Sequence, residues 1–311
     1  MRYLEGAPIP IIIGPTGSGK TALALDLAEL LDSAIVSSDS MQLYRGLDIA
    51  TAKATSEEQR RAPHYLVDIL DPADVFSVND YINAAENCLQ ELTGRGVWPI
   101  VVGGTPQYVT ALVEGIRFAP ESLDGELRAR LQARIAQEGG NVLLAELAEL
   151  DPARAAKLHP NDHRRIVRAL EILRTSGQKQ SEWDTEASRR ALPWKFEVYA
   201  IDLPREELYR RIDLRVDRML EAGLLDEARY VWRLDLPPKA SCLQAIGYKE
   251  LFAYFNGVMT LEEATELLKR NSRRYAKRQL TWFRGKEWIT WLNPEELADF
   301  PARLALKLTK F

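Results

Sequence analysis

The feature that most constrains the fold is a glycine-rich segment, Gly14-Pro15-Thr16-Gly17-Ser18-Gly19-Lys20-Thr21. It fits the phosphate-loop (P-loop) pattern of a glycine, four residues, then Gly-Lys-Ser/Thr. The apolar run Ile9–Ile13 precedes it and predicts a buried strand, and a helical run from Ala22 to Leu31 follows. Glycines let the backbone N–H groups turn inward, and the helix N-terminus adds positive potential. The segment therefore predicts a cradle for a diphosphate or a nucleotide such as ATP. In it Lys20 reaches the outer phosphate and the Thr21 hydroxyl holds Mg²⁺.

Residues 1–116 alternate predicted strands and helices, a pattern typical of a parallel α/β sheet. We predict strands at Ile9–Ile13, Ala34–Ser37, Leu66–Ile69 and Pro99–Val102, and helices at Lys20–Leu31, Ser77–Thr93 and Thr105–Gly115. Ser77 with Asp80 predicts a capping box. Ligands of such sheets bind beyond the carboxyl ends of the strands. Three polar loops fall there: Gly14–Thr21, Ser38–Gln42 and Gly103–Thr105.

The pattern changes near residue 117, because residues 121–180 have helical periodicity and no strand of their own. The apolar positions of three predicted helices are Leu127, Leu131, Ile135; Leu143, Leu144, Leu147, Leu150; and Ile166, Leu170, Leu173. A strand at Phe196–Ile201 follows, then helices at roughly 204–235, 241–256 and 260–285 and a strand at Trp288–Leu292. We predict a P-loop NTPase-like α/β core with a parallel sheet, formed by residues 1–116 and 196–311. An all-helical insertion domain, residues 117–195, interrupts it.

Composition excludes several classes of protein. The net charge of −4 means that any nucleic-acid surface must be a local basic patch. Cys88 and Cys242 are the only cysteines and lie far apart, which argues against a disulfide framework and structural zinc. No apolar run approaches the ~20 residues of a membrane span, and the N-terminus has no signal-peptide core. We expect a cytoplasmic monomer that does not bind membranes.

Two loops contain candidates for chemistry. Asp39 follows the second strand in Ser37-Ser38-Asp39-Ser40-Met41-Gln42. Its carboxylate could bind Mg²⁺ through water, accept a proton from a nucleophile, or merely cap the next turn. Thr105 ends Val102-Gly103-Gly104-Thr105, where the alternative is a tight turn with an N-cap.

Basic segments indicate an RNA contact. Residues 269–286 contain eight cations and no acid: Lys269, Arg270, Arg273, Arg274, Lys277, Arg278, Arg284 and Lys286. Arg270, Arg274, Lys277 and Arg284 have helical spacing and share one face, and Tyr275 and Trp282 lie on another. A solvated helix usually mixes signs, so this stripe favours RNA or polyphosphate. An earlier helix opens at His159-Pro160-Asn161-Asp162-His163-Arg164-Arg165, where Asp162 suits an N-cap and the arginines suit a phosphate-facing surface.

Together these segments resemble the tRNA dimethylallyltransferases, also called tRNA isopentenyltransferases, of the bacterial type. The resemblance covers nearly the whole chain. It depends on the P-loop, the segment from Asp39 to Ile49, Thr51-Ala52-Lys53, Val102–Thr105, His159–Asp162, Ala245-Ile246-Gly247-Tyr248-Lys249 and Tyr275-Ala276-Lys277-Arg278-Gln279. One departure is Pro106-Gln107-Tyr108, where the family usually has Gly-Leu-Tyr, and the glutamine could alter the pocket.

The resemblance implies transfer of a dimethylallyl group from dimethylallyl diphosphate to the exocyclic amine of the adenosine 3′ of the anticodon in tRNA. It implies that Asp39 accepts the amine proton, that Thr105 bonds near the amine or the diphosphate, and that Arg215 is catalytic. Lys20, Arg215 and Mg²⁺ on Thr21 would neutralise the departing diphosphate. The implied tRNA contacts are Asp39, Ser40, Met41, Gln42, Thr105, Arg128, Arg164, Arg165, Ile166, Val167, Arg168, Gln244, Ala245, Ile246, Gly247, Tyr248, Lys249, Arg274, Lys277 and Arg278.

Three alternatives remain open at this stage. A small-molecule kinase would use the same loop for ATP, but it leaves the basic stripe and the insertion unexplained. An isopentenyltransferase acting on free adenine nucleotides would be shorter and lack the basic block. A non-catalytic RNA-binding protein would not need Asp39.

Overall fold

The structure, a computed structural model, describes residues 2–116, 118, 125–185, 189–237 and 240–310. The chain forms two compact units. One, the core unit, comprises Met1–Val113 and Leu192–Phe311, and the other, the helical unit, comprises Glu114–Ala191. The predicted start of the insertion, at residues 117 and 121–124, lies outside the described residues.

A parallel six-stranded sheet lies at the centre of the core unit. Its strands are β1 (Ile9–Ile13), β2 (Ala34–Ser37), β3 (His64–Tyr65), β4 (Pro99–Gly103), β5 (Phe196–Ile201) and β6 (Ile289–Leu292). Their order across the sheet is β3-β2-β4-β1-β5-β6. Every residue of β1, β2 and β4 is buried, as expected when helices cover both faces of a parallel sheet.

Helices cover this sheet and form the helical unit. The first four are α1 (Lys20–Leu31), α2 (Ser56–Arg61), α3 (Val78–Gly94) and α4 (Pro106–Val113). The helical unit contains α5 (Gly125–Glu138), α6 (Gly140–Leu150), α7 (Pro152–Ala155), α8 (His163–Ser176) and α9 (Gln180–Trp183). The core unit continues with α10 (Arg205–Glu221), α11 (Leu224–Arg233), α12 (Tyr248–Phe255), α13 (Leu261–Arg284) and α14 (Phe300–Leu308). Short 3₁₀ turns lie at Ser241–Gln244 and Pro294–Glu296.

Each unit has its own apolar core. In the core unit, leucines of α1 pack with Ile12, Ile100 and Val102 of the sheet and with Phe300 and Leu304 of α14. The core of the helical unit contains the predicted apolar positions Leu127, Leu131, Ile135, Leu143, Leu147, Ile166 and Leu170. Leu150 was also predicted there but is 41% exposed at the end of α6. The fold class predicted from the sequence, an α/β parallel sheet, is confirmed.

One predicted strand is wrong. Leu66–Ile69 was expected to extend, but the third strand is His64–Tyr65 and ends before this run. Leu66 and Asp68 have left-handed backbones, with φ of 58° and 56°. The segment bonds instead to the loop after β2, because the N–H of Asp68 donates to Gln42 and that of Ile69 to Leu43. These tertiary bonds override the alternation of apolar residues.

Most predicted helix limits agree with the structure to within two residues, and the Ser77–Asp80 capping box is confirmed. The helix expected at 204–235 is two helices, broken at Gly223, where φ is 99°. The helix expected at 241–256 is a 3₁₀ turn followed by α12, broken at Gly247 with φ of 120°. Glycine permits these left-handed geometries, and both breaks place side chains at the site below. Among the described helices, none has the length and apolar character that crossing a membrane requires.

Candidate active site

The order of strands brings the three predicted polar loops together. Strands β2, β4 and β1 are neighbours, so the loops at their carboxyl ends lie side by side. The Thr105 Oγ1 accepts a hydrogen bond from the Ser40 N–H at 2.9 Å, and the Thr105 N–H donates to the Ser38 carbonyl at 3.2 Å. Thr105 therefore joins the loop after β4 to the loop containing Asp39, and its hydroxyl faces Ser40.

Gly103 and Gly104 are required by close packing. A Cβ at Gly103 would overlap the Ser38 carbonyl, and one at Gly104 would lie 2.6 Å from Gln279 Nε2. Gln279, from α13, donates to the Gly104 carbonyl at 2.6 Å and accepts from the Thr16 N–H at 3.0 Å. This buried amide thus links the P-loop to the end of β4.

The P-loop has the backbone that the sequence predicts. Gly17 and Gly19 have φ of 80° and 92°, and α1 begins directly afterwards at Lys20. Burial lowers the pKa of Lys20 to about 8, although the Asp39 carboxylate opposes the shift and Arg215 adds to it. Lys20 is therefore a cation removed from water, which strengthens its attraction for a phosphate.

A cavity of about 320 Å³ opens beside the P-loop within the core unit. Four residues predicted to act in catalysis or phosphate binding, Lys20, Thr21, Asp39 and Arg215, line it together. Arg215 comes from α10 and burial lowers its pKa, while Asp39 raises it. The predicted contacts Ser40, Met41, Gln42, Gln244, Ala245, Ile246 and Arg278 also line the cavity. Gln107 is exposed on α4 and is not among its lining residues.

The Asp39 carboxylate is held by its own loop. Its Oδ1 accepts the Met41 N–H at 3.0 Å. The cavity also has an apolar side on α10, where Ile212, Val216 and Met219 follow one another at helical spacing beside Arg215. The site thus places a carboxylate, two cations and an apolar surface around one space.

The loop after Gln42 forms another wall of this cavity, through Ala50, Thr51 and Ala52. Gln42 Nε2 donates to the carbonyls of Thr51 and Ala52 at 3.3 and 3.2 Å, and its Oε1 accepts from Ser37 Oγ at 2.9 Å. Gln42 thus fastens the loop to the end of β2.

The exposed face of α13 is basic. Arg274, Lys277 and Arg278 line a groove with Thr281, Trp282 and Lys286, and within the described chain these first three cations form no ion pair. Lys269 and Arg273 differ, because they pair with Asp217 and Asp213 of α10. The predicted stripe thus divides into structural cations and exposed ones.

Tyr275 and Trp282, the two aromatic residues predicted to share a face, line different spaces. Tyr275 lines the cavity beside the P-loop, and the Arg278 guanidinium lies 5.7 Å from its ring centre. Trp282 lines the groove, and its Nε1 donates to Thr110 Oγ1 at 3.0 Å.

In the helical unit the predicted contacts divide in the same way. Arg164 and Arg165 are exposed on α8. Arg128 and Arg168 both bond to the fully buried Glu171. Ile166 and Val167 belong to the apolar core, which corrects the expectation that their side chains face an RNA.

The N-cap predicted for α8 also needs a correction. Asp162 stands at the cap position but makes no capping side-chain bond, because its carboxylate accepts the His159 N–H instead.

The segment 244–249 is also only partly available. Gln244 and Lys249 are exposed and bond to each other at 2.8 Å. Tyr248 is fully buried, and its hydroxyl donates to Glu227 at 2.9 Å, so its predicted RNA contact is replaced by an internal one. Burial and Glu227 raise the pKa of Tyr248, so this hydroxyl stays protonated.

Three residues of the site were not assigned from the sequence: Gln279, Met219 and Glu227. Gln279 is within the basic segment, and a polar residue at a buried position of that helix was its only signal. Met219 and Glu227 lie on helices whose orientation only the tertiary structure gives.

Comparison with known proteins agrees with this geometry. The family described as IPP transferase matches residues 42–286. A tRNA dimethylallyltransferase of Bacillus subtilis (strain 168) is 46% identical over 286 residues, covering 92% of this chain and 90% of that protein. The tRNA dimethylallyltransferase 1 of Trichlorobacter lovleyi is 46% identical over 95% of this chain and 97% of its own.

Solved structures are similar as well. The full-length tRNA isopentenylpyrophosphate transferase from Bacillus halodurans has a TM-score of 0.71 at 40% identity, covering 98% of this chain and 97% of that one. A eukaryotic dimethylallyltransferase acting on tRNA has a TM-score of 0.81 at 29% identity, covering 96% of this chain and 77% of that one. The chain belongs to the IPP transferase family.

Proposed function

We propose that this chain transfers a dimethylallyl group from dimethylallyl diphosphate to the exocyclic amine of the adenosine 3′-adjacent to the anticodon of a tRNA. Diphosphate is released. The observation that carries the proposal is the cavity in which Lys20 and Thr21 share one space with Asp39 and Arg215. The relatives named tRNA dimethylallyltransferase and the eukaryotic enzyme acting on tRNA support it.

The P-loop binds the leaving group in this mechanism. As the allylic C–O bond breaks, its electron pair goes to the diphosphate, on which negative charge develops. Lys20 and Arg215 line the space where that charge appears. Both cations are withdrawn from water, so their stabilisation of the charge exceeds that of exposed side chains.

Magnesium suits the residues present. Mg²⁺ prefers oxygen ligands and is commonly held by a carboxylate, a hydroxyl and the phosphates of the substrate. Thr21 and Asp39 line the same cavity and supply a hydroxyl and a carboxylate. We propose that Thr21 holds Mg²⁺ directly. When bound, the ion would supply further neutralisation of the diphosphate.

Asp39 is the proposed general base. The exocyclic amine of adenine is a weak nucleophile, because its lone pair is delocalised into the ring. As the C–N bond forms, one amine proton passes to the Asp39 carboxylate. The Met41 N–H holds Oδ1 of that carboxylate and orients it, and Thr105 holds the neighbouring Ser40 N–H. A positioned base typically contributes about 10²–10⁴-fold to a rate.

The apolar side of the cavity suits the five-carbon group. Ile212, Val216 and Met219 lie on the face of α10 that includes Arg215. A dimethylallyl group packed there would have its C1 near the cations and its methyl groups on aliphatic side chains. The same wall excludes water, which would otherwise compete with the amine for the allylic carbon.

RNA binding is proposed for the exposed cations. In the core unit these are Arg274, Lys277 and Arg278 on α13, with Gln244 and Lys249 near the cavity. In the helical unit they are Arg164 and Arg165, while Arg128 and Arg168 are oriented by Glu171. The target adenosine must leave its stack, at a cost of a few kcal/mol, which these phosphate contacts offset.

The test uses unmodified tRNA, radiolabelled dimethylallyl diphosphate and Mg²⁺. We expect label in the RNA and release of diphosphate. Parallel reactions contain γ-labelled ATP with the tRNA, or the labelled donor with AMP or ADP. Transfer of label from ATP would show a kinase. Faster modification of the free nucleotide than of tRNA would show a mononucleotide transferase, and either result would overturn the proposal.

A further inference from the structure

The Glu227 carboxylate lies at the centre of a hydrogen-bond cluster that the proposed mechanism does not use. Its Oε2 accepts the N–H groups of Asp48 and Ile49 at 2.7 and 2.6 Å. Its Oε1 accepts the Ala50 N–H and the Tyr248 hydroxyl, each at 2.9 Å. Three consecutive backbone donors and one phenol thus converge on one side chain.

The segment that Glu227 holds is the wall of the cavity. Ala50 is followed by Thr51 and Ala52, and all three line the space beside Asp39. The carbonyls of Thr51 and Ala52 accept from Gln42, which is itself a lining residue and bonds to Ser37 at the end of β2. Glu227 lies on one side of the wall, and the loop containing Asp39 lies on the other.

The downstream end of this wall is fixed separately. Lys53 is buried, and its Nζ donates to the Tyr44 carbonyl at 2.5 Å, to Asp48 at 2.7 Å and to Asp68. The segment 48–52 is therefore fastened at its end by Lys53 and along its start by Glu227. Removal of the Glu227 bonds would release the start while the end stays in place.

We propose that Glu227 is a positioning residue for the transfer reaction: it holds residues 48–50 so that the wall 50–52 and Gln42 keep the acceptor adenosine against Asp39. This inference rests on the proposed function. Two observations favour a carboxylate in this role. Several N–H donors converge on it, and a carboxylate is the side chain that accepts without donating. It also lies in the first turn of α11, where the helix N-terminus stabilises negative charge.

The test compares Glu227→Gln with Tyr248→Phe and Asp226→Asn. Glu227→Gln places an amide NH₂ among donors, so it loses bonds without a change of size. Tyr248→Phe removes one donor from the cluster and leaves the carboxylate. Asp226→Asn is the matched control, because Asp226 is exposed in the same helical turn and removes the same charge without touching the loop.

Three measurements are made on each full-length chain: hydrogen exchange of the amides of residues 48–50, kcat with tRNA, and KM for the diphosphate donor. In Glu227→Gln we expect faster exchange and a fall in kcat on the order of 10²-fold, because small displacements of reacting groups have that effect. In Tyr248→Phe we expect a fall of about tenfold. The donor KM should not change in either variant, since P-loop contacts hold the diphosphate. Asp226→Asn should behave as the wild type.

Several results would overturn the inference. Unchanged exchange in Glu227→Gln would mean that the carboxylate does not hold the loop. Faster exchange with unchanged kcat, or a fall in kcat matched by a lower Tm and a higher donor KM, would assign it a structural role alone. Absence of transfer by the wild type would refute the proposed function instead, and hydrogen exchange would still report on the loop.

Discussion

The hydroxyl oxygen of Thr105 lies 2.9 Å from the backbone nitrogen of Ser40 and accepts its hydrogen bond. These residues follow different strands, β4 and β2, which are neighbours in the sheet. The bond fixes the backbone one residue after Asp39, so Thr105 controls where the proposed base points. A predicted N-cap residue is in this structure a link between two catalytic loops.

Thr105→Val removes that acceptor while keeping the branched shape of the side chain. We expect kcat to fall about tenfold, since one such bond contributes about 0.5–1.5 kcal/mol. Thr105→Ser retains the hydroxyl and should stay near the wild-type rate. Single-turnover transfer to tRNA measures both, and equal rates for Val and Ser would assign Thr105 no role in orienting the loop.

Asp39→Asn preserves an oxygen that can accept the Met41 N–H but removes the base. We expect the rate of transfer to fall by about 10²–10⁴-fold, the usual contribution of a positioned base. Binding of tRNA, measured by filter binding, should change little. Retained activity in the Asn variant would mean that another group takes the proton.

The pKa of Lys20 predicts a pH dependence of diphosphate binding. Burial lowers that pKa from 10.5 to about 8 in the free protein. Below that pH the amine is a cation, and as the pH rises through it the cation is lost. Calorimetry on either side of this pH should show weaker binding of diphosphate on the alkaline side. Lys20→Met should bind weakly and show no such step, and a step that persists in it would arise from another group.

The exposed cations of α13 predict the salt dependence of tRNA binding. Arg274→Ala with Lys277→Ala should weaken binding and flatten the plot of log K against log salt by about 0.7–0.9 per lost phosphate contact. Lys269→Ala with Arg273→Ala removes the same charge, but those residues pair with α10. That variant should lower Tm and leave the slope near the wild-type value. Equal slopes for all three proteins would place the RNA elsewhere.

Met219 predicts the donor length. The side chain lines the active-site cavity and also a second cavity of about 420 Å³, and Ala52 and Arg215 are the other residues common to both. Met219→Ala should join the two spaces and raise the ratio of kcat/KM for geranyl over dimethylallyl diphosphate by about tenfold or more, since a few methylenes contribute about 1–3 kcal/mol. Val216→Ala, which lines only the first cavity, is the control. Mass spectrometry of the RNA identifies the transferred group, and an unchanged ratio would remove Met219 from donor selection.

Local patterns were sufficient for the elements near the P-loop. Ile9–Ile13 and Lys20–Leu31 have the predicted bounds, because a buried apolar run and a glycine loop before a helix are local signals. Leu66–Ile69 has an equally strong local pattern but is not a strand, since bonds to Gln42 and Leu43 impose another backbone. Tyr248 likewise lies in a segment typical of the family, yet its hydroxyl is bonded internally to Glu227.

The sequence alone determined the phosphate cradle, the parallel α/β class and the basic character of α13, because each depends on neighbouring residues. Only the tertiary structure decided which polar groups meet. The strand order brings Thr105 to Ser40, Gln279 joins Thr16 to Gly104, and Glu227 reaches the backbone of residues 48–50. Such contacts join residues far apart in the chain, and their partners are selected by the packing of whole elements.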